Sequence, residues 1–169
     1  MPSPTIDTLD RIVAFLNQIG IATREGEVPA DAFLPGVRVH EGGLIFDRAA
    51  LRWPGDLLHE AGHLAVAPPA LRAQLSGDIE LPADIPHASE IEATAWAWAA
   101  LCHLGLEPSV LFHEGGYHGR SEGLIRTYSL GVHPGAFGLA QIGLTHAGAA
   151  NPSSGVPAYP HMTQWLRQA

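Results

Sequence analysis

At 169 residues, 46% hydrophobic and 15% charged with 19 Gly and 14 Pro, the chain fits one domain over residues 1–169 with a real core and many turns, and its composition excludes a disordered or fibrous class. A formal net charge of −8 with only nine Lys and Arg argues against nucleic acid as a direct partner, because a phosphate backbone would meet mostly repulsion. No run approaches the ~20 apolar residues that cross a bilayer, the amino terminus lacks the basic start of an export signal, and the single Cys102 cannot form an internal disulfide, so a cytoplasmic protein with no membrane partner and a buried Cys102 is expected.

Ile6, Leu9, Ile12, Val13, Leu16 and Ile19 recur at helical spacing over residues 5–19, and Gly20 is placed to end that helix. Residues 21–36 are mixed and proline-bearing. VRVHEGGLIFD then sets two short β-prone runs around Gly42 and Gly43, which predicts a hairpin at 37–47. Pro54 suits a first helical turn, Asp56 places a negative charge near the positive end of the helix, and Pro68-Pro69 stops it, so LLHEAGHLAVA is helical. A short helical piece and a loop fill residues 70–88. Ser89 with Glu92 three positions on forms a capping box and opens a long helix to about Leu104. Beyond it, EPSVLFHEGGYHGRSEG is rich in turn residues, and weak helical patterns return over residues 124–130 and 136–144. AGAANPSSGVPAYP reads as a flexible connection, and HMTQWLRQA as a short terminal helix docking Trp165.

Within the second helix, HEAGH places His59 and His63 four apart, so both imidazoles project from one face and can share a metal ion. Zinc suits neutral imidazole nitrogens, and an open coordination position lowers the pKa of a bound water to ~7. Glu60 flanks the same site and is the candidate general base. Ala61 and Gly62 are small, which lets another element pack close, although glycine inside a helix costs roughly 1 kcal/mol relative to alanine. Leu57, Leu58, Leu64, Ala65 and Val66 leave the His-Glu side as the polar stripe of an otherwise apolar helix. Buried polar groups of this kind need partners, and a metal supplies them.

A third protein ligand must come from elsewhere. Val66 and Pro69 stand where a glycine and a third histidine would continue one known pattern, and Cys102 lies downstream rather than upstream of the metal helix. Glu90, Glu92 and His87 remain. The run EIEATAWA over residues 90–97 resembles the glutamate helix of the ImmA/IrrE metallopeptidase family, whose pattern is E-x-E-A-[ND]-x-F-A after an upstream HExxH. Glu90, Glu92, Ala93 and Ala97 match, Trp96 replaces an aromatic by an aromatic, and Thr94 departs from Asn or Asp. The resemblance covers roughly residues 30–105. It implies a gluzincin-type site in which Glu90 ligates zinc; Glu92, rotated away from the Glu90 face, completes the helix cap.

Hydrolysis also needs a donor for the oxyanion. FHEGGYHGR offers His113, Tyr117, His118 and Arg120, of which Tyr117 and His118 are the principal candidates, with Tyr128, Tyr159 and His161 behind them. The expectation is an α+β, zincin-like single domain with a small sheet, a metal helix, a glutamate helix and a mainly helical second half. Its expected function is that of a zinc-dependent metallopeptidase-like hydrolase of peptide or amide bonds, with metal ligands His59, His63 and Glu90. An edge strand beside the metal could hold an extended peptide or protein substrate by β-augmentation. The competing expectation is a non-catalytic zinc-binding or regulatory protein derived from such a fold.

Overall fold

In the computed structural model, which describes residues 4–147 and 155–169 with side chains from residue 8 onward, α1 spans Pro4–Ile19. The side chain of Ile6 and the part of the expected connection over residues 148–154 therefore lie outside the described residues. Leu9, Ile12 and Leu16 of the predicted stripe are buried, together with Phe15. Gly20 ends the helix at a φ of 100°, a left-handed conformation that glycine adopts without steric cost.

The chain then enters β1 (Thr23–Glu25), inside the stretch whose composition predicts nothing regular. Its register comes from outside its own sequence. The Asn17 amide brackets Thr23, accepting from its N–H at 2.9 Å and donating to its carbonyl at 2.9 Å, and β1 pairs in parallel with β3 (Gly43–Phe46). The predicted hairpin joins β2 (Val37–His40) to β3, antiparallel, with His40 opposite Gly43. Glu41 and Gly42, at φ values of 47° and 75°, are the two turn residues, as a tight two-residue hairpin requires, so Gly43 belongs to the strand and not to the turn. The sheet order is β1-β3-β2. At the β2 edge the Val39 carbonyl accepts from Gly77 N–H at 2.9 Å.

Helix α2 (Gly55–Val66) carries HEAGH, and Leu57, Leu58, Leu64, Ala65 and Val66 are fully buried. After the short α3 (Pro69–Arg72) and a loop, α4 (Glu90–Leu104) begins one residue after Ser89. Glu92 caps it, accepting from Ser89 N–H at 3.0 Å and from the Ser89 hydroxyl. Residues Ala93–Leu101 of α4 are buried on all sides, which makes it the central helix, and α2 is its main neighbour. The two axes come together over Gly62: a Cβ there would lie 2.4 Å from the Ala93 carbonyl oxygen, so only glycine permits this approach.

The second half adds α5 (Pro108–Leu111), a 3-10 turn at Tyr117–Gly119, α6 (Ser121–Ser129) and α7 (Ala136–Gln141). Two expectations fail here. The expected terminal helix does not form, because its backbone is used elsewhere: Met162 bridges Thr145, and Arg167 N–H donates to the Ala65 carbonyl at 2.9 Å. Trp165 nevertheless docks, its ring edge-on to Phe15 at 4.9 Å and to Trp96 at 5.6 Å. Cys102 is exposed rather than buried, since it falls past the fully buried part of α4. Among the described residues no helix is long and apolar enough to cross a membrane. The architecture is thus a small mixed domain in which α1 and α2 pack on a three-stranded sheet and the central α4 packs on α2.

Candidate metal centre

The polar face of α2 is built by helical spacing. Asp56, His59, Glu60 and His63 follow at i, i+3, i+4 and i+7, so they form one stripe. Opposite stands Glu90, the first residue of α4, held at that height by the Ser89–Glu92 cap and brought close by the Gly62–Ala93 approach.

The side chains of His59, His63 and Glu90 converge. The two histidine Nε2 atoms lie 3.3 Å apart, and Glu90 reaches both, with Oε1 3.1 Å from His59 Nε2 and Oε2 3.0 Å from His63 Nε2. Each of the three offers one ligand atom within 4.8 Å of the others, so the cluster could bind a metal ion. The histidines are 18% and 14% exposed and Glu90 63%, so the cluster is walled by protein on one side and open to solvent on the other. Glu92 and His87, the other candidate ligands, lie apart from it: Glu92 is occupied by the cap, and His87 Nδ1 sits 3.9 Å from its carboxylate.

Charge is tightly coupled here. Glu90 is held far below the usual carboxylate range by its hydrogen bonds to His59 and His63. Burial pushes the His59 imidazole down, but the hydrogen bond and charge of Glu90, with Glu60 and Asp56 behind it, outweigh burial and leave His59 raised. Burial lifts the half-buried Glu60 carboxyl above its ordinary range against the pull of both histidines. A carboxyl so raised accepts a proton near neutral pH more readily than an exposed one does.

Of the expected oxyanion donors, only Tyr117 reaches the cluster. Its hydroxyl lies 3.2 Å from His59 Nδ1, and its ring meets that imidazole edge-on at 5.6 Å. His118 is exposed and outside the cluster. Tyr128 and Tyr159 are committed elsewhere, donating to the carbonyls of Pro134 at 2.9 Å and Ala95 at 2.7 Å. His161 and Arg120 are exposed. His113 turns away from the cluster and pairs with Asp56, Nε2 to Oδ1 at 2.7 Å, in a fully buried contact. Residue patterns alone did not reveal this pair. The available signal was the position of Asp56, one turn before His59 on the same face. Models of known protein families, curated proteins and solved structures contain no match to this chain.

Proposed function

We propose that the chain is a zinc-dependent hydrolase of peptide or amide bonds, with a zincin-like arrangement in which His59, His63 and Glu90 hold the metal and Glu60 is the general base. The observation that carries this reading is the spacing of the donors. Ligand atoms about 2.0–2.1 Å from one tetrahedral zinc would stand roughly 3.3–3.4 Å apart; the two Nε2 atoms stand 3.3 Å apart, and Glu90 sets Oε1 3.1 Å from His59 Nε2 and Oε2 3.0 Å from His63 Nε2, which leaves an oxygen within reach of the same ion. Two imidazoles and a carboxylate are also a donor set that zinc favours. The resemblance of EIEATAWA to the glutamate helix of ImmA/IrrE metallopeptidases supports the same assignment.

Zinc in this position supplies Lewis acidity, polarising a carbonyl and lowering the pKa of water. Glu60, adjacent to both imidazoles, takes a proton from the attacking water and delivers it to the leaving nitrogen. Glu90 keeps its charge at neutral pH and offsets that of the metal, while the exposed side of the cluster admits substrate. A zinc that merely fastens α2 to α4 needs four protein ligands. Among the described residues three converge, which favours the catalytic reading.

Glu60→Gln tests it. The exchange keeps the shape and removes the base, so zinc content and melting temperature should stay near wild type while hydrolysis of a peptide found by screening falls by at least ~10²-fold. Full activity in the Glu60→Gln protein would rule out this mechanism.

A further inference from the structure

Helix α2 continues its polar face one turn beyond the metal ligands, and the residue there, Asp56, is only 6% exposed. A carboxylate in such a place requires a partner. His113 provides it at 2.7 Å, itself 4% exposed, with its ring stacked on Trp53 at 4.5 Å and nearly parallel, at 4°. The loop following His113 is pressed onto the same two rings. A Cβ at Gly115 would stand 2.5 Å from Trp53 Nε1, and one at Gly116 3.0 Å from His113 Cε1. Ser121 closes the loop by donating to the His113 carbonyl at 2.6 Å.

What this docking delivers is Tyr117. Its backbone is left-handed, φ 56°, and so is that of His118 at 52°, conformations that residues with a Cβ adopt only when the surroundings impose them. The imposed conformation lays the Tyr117 ring between Phe112, edge-on at 5.0 Å, and His59, and sets its hydroxyl 3.2 Å from His59 Nδ1. An imidazole that gives Nε2 to a metal carries its proton on Nδ1 and needs an acceptor there. The Tyr117 oxygen is that acceptor.

The geometry points to a positioning relay: the buried Asp56–His113 pair latches residues 113–121 onto the start of the metal helix, and the latched Tyr117 fixes the His59 tautomer and ring plane so that Nε2 faces the metal. This inference rests on the metal-centre reading above and assigns roles to three residues that are not ligands. Tyr117 and the pair act through His59.

Zinc titration of the full-length chain against a chromophoric chelator tests it, with wild type and His59→Ala as references. Tyr117→Phe keeps both ring contacts and removes only the hydroxyl. Its zinc dissociation constant should rise roughly 10–100-fold, the range for lost partners of metal-bound histidines, with the metal-free melting temperature little changed. Asp56→Ala should weaken zinc binding similarly, and Asp56→Asn, which retains an acceptor for His113, should restore most of it. Combining Asp56→Ala with Tyr117→Phe should weaken binding no further than the larger single effect, because both remove one relay. Wild-type affinity in Tyr117→Phe overturns the proposal even if Asp56→Ala fails to fold, and leaves the metal centre standing. A wild-type chain that binds zinc no better than His59→Ala would remove both.

Discussion

Glu90 places one oxygen on each of two imidazoles, so its loss should be felt as metal affinity, whereas Glu92 sits in the cap and should be felt as helix stability. Glu90→Ala is expected to release zinc, and Glu92→Ala to cost ~1 kcal/mol of stability with zinc binding largely kept; isothermal titration and thermal melts separate the two. The same contact gives the metal-free protein a pH signature. The Glu90 carboxyl is depressed, so its stabilisation is present above the unfolded value of ~4.3 and disappears as pH falls through the folded one. His59 is raised, so its share is complete below ~6.5 and is lost as pH climbs through its folded value. With chelator present, the melting temperature of wild type should therefore exceed that of Glu90→Gln most between about pH 4.3 and 6.5. With zinc present the trend reverses over the upper part of that interval, because protons compete with the metal for His59. A gap between wild type and Glu90→Gln that did not vary with pH in chelator would contradict the coupling. Much of this centre was legible in residue spacing, since HEAGH dictates its own geometry once helical. The Asp56–His113 contact was not, because 57 residues separate its members and no local pattern records a loop folding back.

Elements with strong periodic or capping signals formed where their residues dictate. Pro4–Ile19, Gly55–Val66 and Glu90–Leu104 each bury a predicted apolar face or begin beside a predicted cap. β1 escaped notice because Thr-Arg-Glu has no apolar alternation, and its order comes from Asn17 and from pairing with β3. The terminal segment went wrong for a related reason: tertiary hydrogen bonds to Leu144 and Ala65 outcompete a nine-residue helix that would be marginal by itself. Gly62 shows how propensity and packing can oppose each other in one residue. By helix propensity alone, Gly62→Ala should stabilise α2 by roughly 1 kcal/mol. The new Cβ, however, would stand 2.4 Å from the Ala93 carbonyl oxygen and 3.2 Å from its Cα, and backbone cannot swing aside as a flexible side chain can. Overpacking of this kind costs about 1–3 kcal/mol. A net loss of stability is therefore expected in chemical denaturation, accompanied by weaker zinc binding as α4 and Glu90 are pushed from the histidines. A more stable Gly62→Ala protein with unchanged zinc affinity would mean that the two helices are not in register through this contact.

For the molecule as a whole, the carboxy-terminal tail determines how α2 ends. The last carbonyls of α2 have no partners within the helix, and two guanidinium groups supply them. Arg72 donates to the Leu64, Ala65 and Ala67 carbonyls at 2.7, 3.3 and 2.9 Å. Arg167, from the far end of the chain, donates to Val66 at 3.2 Å and to Pro86 at 2.9 Å, and its own carbonyl accepts from Arg72 at 2.7 Å. Positive charge at a helix carboxy-terminus is favourable in any case, but the reach to Pro86 does something further. It ties the end of α2 to the segment that leads into Ser89 and Glu90, so α2 is joined to the start of α4 both by the tail and by the close approach of Gly62 to Ala93. Trp165 anchors this tail, its carbonyl accepting from Trp96 Nε1 at 2.9 Å. Arg167→Ala should leave buried carbonyls unpaired, at about 1–3 kcal/mol, which in a chain of this length lowers the melting temperature by roughly 3–10 °C. Arg167→Lys should recover part of the loss, because both carbonyls accept from the single Nη1 and an ammonium also carries several donors, whereas the Nε–H bond to the Ala169 carbonyl is lost. Saturating zinc should restore part of the loss in both variants, since ligand that binds only the folded state stabilises it by mass action. Differential scanning calorimetry with and without zinc reads all three effects. If Arg167→Ala melts with wild type, water satisfies these carbonyls and the tail is not part of the support of α2.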